Sequence, residues 1–111
     1  MSYLRIELPL DGNVPTFENL SEAISRHESI FLPLLKAIGV QHDDAAQYIS
    51  GSLQLTLGEL DGAVGKVSVQ FEITISNPCL GIEHIQSIRD RWQYTQSDAG
   101  VVFSILAPPN F

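Results

Sequence analysis

This chain has one cysteine, little positive charge and no long apolar run. Cys79 alone cannot form an internal disulfide, so the fold must hold without one, which fits a reducing compartment. Six Lys and Arg stand against thirteen Asp and Glu, a net charge of −7. Phosphate backbones and anionic membranes select clustered Lys and Arg, so both are poor partners for this chain. Arg5, Arg26, Lys36, Lys66, Arg89 and Arg91 are scattered, and only the last two lie close together. No apolar stretch reaches the roughly 20 residues that span a bilayer as a helix. Met1-Ser2-Tyr3-Leu4-Arg5 lacks the basic start and apolar run of a secretory leader. The expectation is a cytoplasmic protein. No glycine-rich loop follows a strand and opens a helix. Gly58, Gly62 and Gly65 fall within a hairpin instead, so no nucleotide site and no cofactor is expected.

What is present is enough apolar surface for a core. At 111 residues the chain fits one domain, residues 1–111, and its 44% hydrophobic content argues against disorder. Leu4, Ile6, Leu8 and Leu10 alternate with polar residues and predict a strand, closed by the turn residues Asp11-Gly12-Asn13. Thr16 is placed to cap a helix. Phe17, Leu20, Ile24, His27, Phe31, Leu34, Leu35 and Ile38 then recur every three or four residues. Pro33 predicts a kink or break near Phe31-Leu32, and Gly39 a stop. His42-Asp43-Asp44 reads as the start of a short helix ending near Ser50-Gly51, because carboxylates suit a helix N-terminus.

Leu53, Leu55 and Leu57, and then Val67, Val69, Phe71, Ile73 and Ile75, alternate as two strands of a hairpin. A two-residue Asp61-Gly62 loop would set Leu55 opposite Ser68. A three-residue loop, Leu60-Asp61-Gly62, pairs Leu55 with Val67 and Leu53 with Val69, and is preferred. Asn77-Pro78 reads as a helix start, with Ile82, Ile85, Ile88 and Trp92 as its apolar stripe. Val101 to Ala107 is a last strand. The order β-α-α-β-β-α-β is that of a ferredoxin-like split βαβ fold: an α+β two-layer sandwich with a four-stranded sheet. Many unrelated functions use that pattern. The expected core is Ile6, Leu8, Leu20, Ile24, Leu55, Val69, Phe71, Ile73, Ile85 and Phe103. The open sheet face would carry Tyr3, Arg5, Glu7, Gln54, Thr56, Ser68, Gln70, Glu72, Thr74, Val102 and Leu106.

No residue group makes a convincing catalytic or metal site. Cys79 at a helix start would have an eased thiol pKa, but His84 points elsewhere on the same helix, and a packing role explains a lone cysteine better. His42-Asp43-Asp44, Glu28 and Glu83-His84 have metal-ligand residue types without a ligand spacing. His27 on an apolar stripe reads as a core-boundary histidine. Glu7 and Glu72 on neighbouring strands could divide acid and base work, but Arg5 pairs with one of them more simply. Trp92 reads as core, and Tyr94, offset from the stripe, as an exposed partner contact.

The composition therefore favours a non-catalytic protein-binding module. Its sharpest form is an immunity or inhibitor protein that neutralises a basic toxin such as a nuclease. Asp43 and Asp44, Glu59 and Asp61, or Glu7 and Glu72 would make the contact, with Asp43-Asp44 the first choice. The alternative is a ferredoxin-like homodimer that holds a small molecule between sheet and helices.

Overall fold

The structure, a computed structural model, describes residues 2–10, 15–77, 79, 81–109 and 111. The chain runs as β1 (Tyr3–Pro9), α1 (Phe17–Arg26), α2 (Glu28–His42), β2 (Ala46–Tyr48), β3 (Gln54–Asp61), β4 (Val64–Asn77), β5 (Ile82–Ser97) and β6 (Gly100–Leu106). The strands form one antiparallel sheet in the order β1-β6-β5-β4-β2, with β3 also paired to β4. The sheet curls into a half-barrel. Leu20, Ala23 and Ile24 of α1 and Phe31, Leu34 and Leu35 of α2 pack against its inner side.

This is not the expected ferredoxin-like sandwich. The segment from Ile82 is a 16-residue strand rather than a helix, and Ala46–Tyr48 is a short strand rather than part of one. The spacing of Ile82, Ile85, Ile88 and Trp92 matches a helix by coincidence. The period-two pattern of β5 is masked because polar Asp90 points inward and apolar Ile85 points outward. The run is rich in β-branched and aromatic residues, which favour strands. Β4 continues to Asn77, and Cys79 and Gly81 follow in the turn. Pro78 and the Asp11-Gly12-Asn13 turn lie outside the described residues.

The helical segment forms largely as its periodicity requires. Thr16 Oγ1 accepts the Asn19 N–H at 3.1 Å and caps α1. The break falls at His27 rather than near Phe31. That places Ser29, whose carbonyl Pro33 cannot bond, in the first turn of a new helix. Asp43 and Asp44 follow the C-terminus of α2, where the helix dipole opposes a carboxylate. Asp43 Oδ1 instead accepts the Ala45 N–H at 2.8 Å and turns the chain into β2.

The β3–β4 register also differs from expectation. The loop is Gly62-Ala63, with Gly62 at a φ of 63°. Leu55 pairs with Val69 and Leu57 with Ser68, and a bulge at Thr56 separates the two pairs. The Thr56 hydroxyl donates to the Ser68 carbonyl at 3.2 Å. The extra residue sits inside the strand rather than at the turn. It points Leu55 inward and leaves Leu57 59% exposed on the outer face.

The core centres on rings. Phe31 stacks on Trp92 at 5.1 Å, and Phe103 meets both edge-on at 6.0 and 5.8 Å. Trp92 Nε1 donates to Asp90 Oδ2 at 2.9 Å, which satisfies the indole. Tyr94 lies over Gly65, where an added Cβ would come within 2.4 Å of its ring. Of the expected core, Leu8, Leu20, Ile24, Leu55, Val69, Phe71, Ile73 and Phe103 are buried. Ile6 is half-buried, and Ile85 is 61% exposed.

Candidate functional site

The two helices cover one side of the sheet and leave the other uncovered. Alternation sends odd residues of β1 and β5, and even residues of β4 and β6, to that outer face. The register then fixes which of them are neighbours. One row crosses the sheet as Glu7, Val102, Thr95, Val64 and Asp61. The next crosses as Arg5, Ser104, Gln93, Lys66 and Glu59. Arg91, Ser68 and Leu57 follow, with Tyr3 opposite Leu106 toward the β1 edge.

The first row has an apolar middle and acidic ends. Val64 is 50% exposed, Val102 half-buried, and Glu7 and Asp61 are exposed. Asp98 is exposed in the β5–β6 turn just beyond Thr95. The middle of the face is basic. Arg5, Lys66, Arg89 and Arg91 all point outward, so strand pairing gathers onto one face residues that look scattered in the sequence. Arg91 Nη2 lies 3.7 Å from Glu59 Oε1, both well exposed, an arrangement of small energetic weight.

The acidic pairs expected to make contact fare differently. Glu59 and Asp61 share the outer side of β3, at the end of the hairpin. Asp43 and Asp44 are adjacent but lie at the α2–β2 junction, away from the sheet face. Glu7 and Glu72 are not on neighbouring strands, because β6 and β5 stand between β1 and β4. Tyr94 is 2% exposed and belongs to the core, so it offers no surface anchor. Its hydroxyl donates to the Gly62 carbonyl at 3.4 Å. Burial, and then the nearby Asp61 carboxylate, push its pKa above the usual value.

A polar lock that the sequence does not announce ties α2 to the loop after β2. The Glu28 carboxylate accepts the Gly51 N–H at 2.7 Å and the Tyr48 hydroxyl at 3.0 Å. Tyr48 Oη in turn accepts the Leu53 N–H at 3.1 Å. Burial is the main cause that raises the Tyr48 pKa. Glu28 stands in the first turn of α2, where a carboxylate is favoured. This arrangement orders a loop and holds no reacting groups.

The space between sheet and helices is filled by Phe31, Trp92 and Phe103, where a small-molecule pocket would have to lie. Cys79 is exposed in the β4–β5 turn and His84 exposed on β5. Among the described residues, no three His, Cys, Asp or Glu side chains converge as metal ligands. Among them too, no helix is long and apolar enough to cross a membrane. No protein-family model matches the chain, and no curated protein or solved structure matches it either.

Proposed function

We propose that this chain is a non-catalytic protein-binding module that receives a basic partner at the acidic end of its uncovered sheet face. The observation that supports this reading is the row Glu7, Val102, Thr95, Val64 and Asp61. An apolar centre with a charged rim is the ordinary anatomy of a protein interface. Val64 and Val102 would lose water on contact, and the rim carboxylates would choose the sign of the partner. A net charge of −7 draws basic proteins and repels nucleic acid over the longer range. Of the acidic pairs, Glu59 and Asp61 border this seat, so they replace Asp43 and Asp44 as the first choice. Tyr94 takes no part. The lone cysteine agrees with a cytoplasmic setting. The toxin-neutralising form of this idea rests on size and charge alone and gains no support from the fold, so it is not carried further.

The test is affinity capture from the cells that make the protein, with wild type, Val64→Arg and Asp44→Lys as baits. A basic protein retained in stoichiometric amount by wild type and Asp44→Lys, and lost with Val64→Arg, is the expected result. The same retained protein on all three baits, or an acidic one, would overturn the reading.

A further inference from the structure

Β5 is longer than its neighbour on one side. Β4 pairs with it from Ile82 to Thr95, but β6 pairs only from Gln93 to Ser97. Among the described residues, no strand borders the other edge of β5 from Glu83 to Arg91. The parity of that edge is fixed by one bond. The Gln96 N–H reaches the Ala63 carbonyl on the β4 side at 2.6 Å. The β4–β5 register is continuous, so even residues of β5 turn their backbone groups to β4 and odd residues turn theirs outward. The outward set is Glu83, Ile85, Ser87, Arg89 and Arg91. The Arg91 N–H is already bonded, because it donates to its neighbour's carboxylate, Asp90 Oδ1, at 2.9 Å. An inward-pointing charge that caps an edge amide is a known way to end strand pairing. Among the described residues, four remain with both backbone groups open: Glu83, Ile85, Ser87 and Arg89.

We infer that this edge pairs with the same edge of a second copy of the chain, antiparallel about a two-fold axis at Gln86. An open strand edge is a template for another strand. Only one antiparallel register uses all four open residues and stops at the Asp90 cap. It sets Glu83 opposite Arg89 of the second copy and Ile85 opposite Ser87 of the second copy, and the two-fold repeats both pairs. Each outward pair exchanges two backbone hydrogen bonds. The same register brings opposite charges face to face twice, and such cross-strand pairs are favourable. It also brings the exposed Ile85 side chains to diagonal positions across the axis, within reach of each other. The interface is self-complementary, as a closed two-fold dimer requires. It lies away from the Val64 row and does not depend on the partner proposed for that row.

Sedimentation equilibrium across a concentration series tests this. The wild type should move from 12.2 kDa toward twice that mass as concentration rises. Ser87→Pro removes an outward N–H at an edge where proline is tolerated, and should remain monomeric. Glu83→Arg and Arg89→Glu each place like charges opposite one another twice, and each should weaken the dimer about ten-fold. Mixed in equal amounts, these two variants face each other with opposite charges at both pairs. The mixture should therefore restore a mixed dimer, which native mass spectrometry would resolve. All three substitutions lie on exposed residues, and circular dichroism would confirm that each variant is folded. A wild type that stays monomeric at millimolar concentration would overturn the inference. So would a dimer indifferent to these changes, or a mixture that fails to recover it.

Discussion

The two halves of β5 lie in one strand, paired in one register to the same neighbour, yet they obey different rules. From Ile88 onward the apolar inner positions Ile88, Trp92 and Tyr94 are all buried, with half-buried Asp90 between them bonded to the Trp92 indole, and the outer ones are Arg89, Arg91, Gln93 and Thr95. Before Ile88 the pattern lapses: inward His84 is exposed, inward Gln86 half-buried, and outward Ile85 is apolar. The second half is covered by α2 and the ring cluster. The first half projects beyond them. Alternation records the presence of a core, not the presence of a strand. Where no core covers a strand, its sequence is free to serve an edge instead.

The contrast is broken most severely from the covered half. Trp92→Ala removes the ring that Phe31 stacks upon, and should cost about 3–5 kcal/mol in a urea denaturation series. A loss under about 1 kcal/mol would mean that the ring cluster is not the core. Gly65→Ala comes next. Its Cβ would meet the Tyr94 ring at 2.4 Å and the Glu59 carbonyl oxygen, which is backbone, at 2.7 Å. Overpacking of this kind costs about 1–3 kcal/mol, and an unchanged midpoint would show that Tyr94 does not cover Gly65. In the projecting half, Ile85→Ser, measured dilute enough to be monomeric, should change stability by no more than about 0.5 kcal/mol. A larger loss would place Ile85 in a core.

A pH series separates the covered interior from the loop lock. The Tyr48 pKa is raised above 10.0, mainly by burial. The neutral phenol is therefore the form the fold favours. Its contribution is fully present below the unfolded pKa and is lost as pH rises through the folded one. The denaturation midpoint should fall above pH 10.0, and Tyr48→Phe should flatten part of that fall. Tyr48→Phe with an alkaline limb identical to wild type would show that Tyr48 ionisation does not carry this loss. The smallest effect belongs to Cys79→Ser, which should leave both stability and partner capture nearly unchanged. Loss of capture with the fold intact would assign the exposed thiol a role.

How much was legible follows the same division. Β1, α1, most of α2, β4 and β6 stand close to where periodicity places them, because each lays an apolar stripe on the core. The outer positions of β1, β6 and much of β4 were readable for the same reason, but those of β5 and the hairpin end were not. Β5 was not, since Ile82, Ile85 and Ile88 imitate a helical spacing, although Ile88 is buried and Ile85 lies on the outer face. The Thr56 bulge was hidden because Leu53, Leu55 and Leu57 alternate without a flaw in sequence, while only the pairing with β4 turns Leu57 outward. The site suffered more than the fold. Arg5, Lys66, Arg89 and Arg91 become neighbours only once the strand order is known, and Glu7 and Glu72 are separated by that same order.

Amide hydrogen exchange along β5, read residue by residue by NMR, probes the strand, its open edge and the dimer at once. In dilute solution the even residues from His84 to Gln96 should be protected, since their amides bond β4 or the β3–β4 turn. The odd residues Glu83, Ile85, Ser87 and Arg89 should exchange fast, and the odd residues that face β6 should be protected. At high concentration the four open amides should become protected as the second copy pairs with them. Uniform protection of consecutive amides from Ile82 to Trp92 in dilute solution would contradict the strand, its open edge and the dimer together.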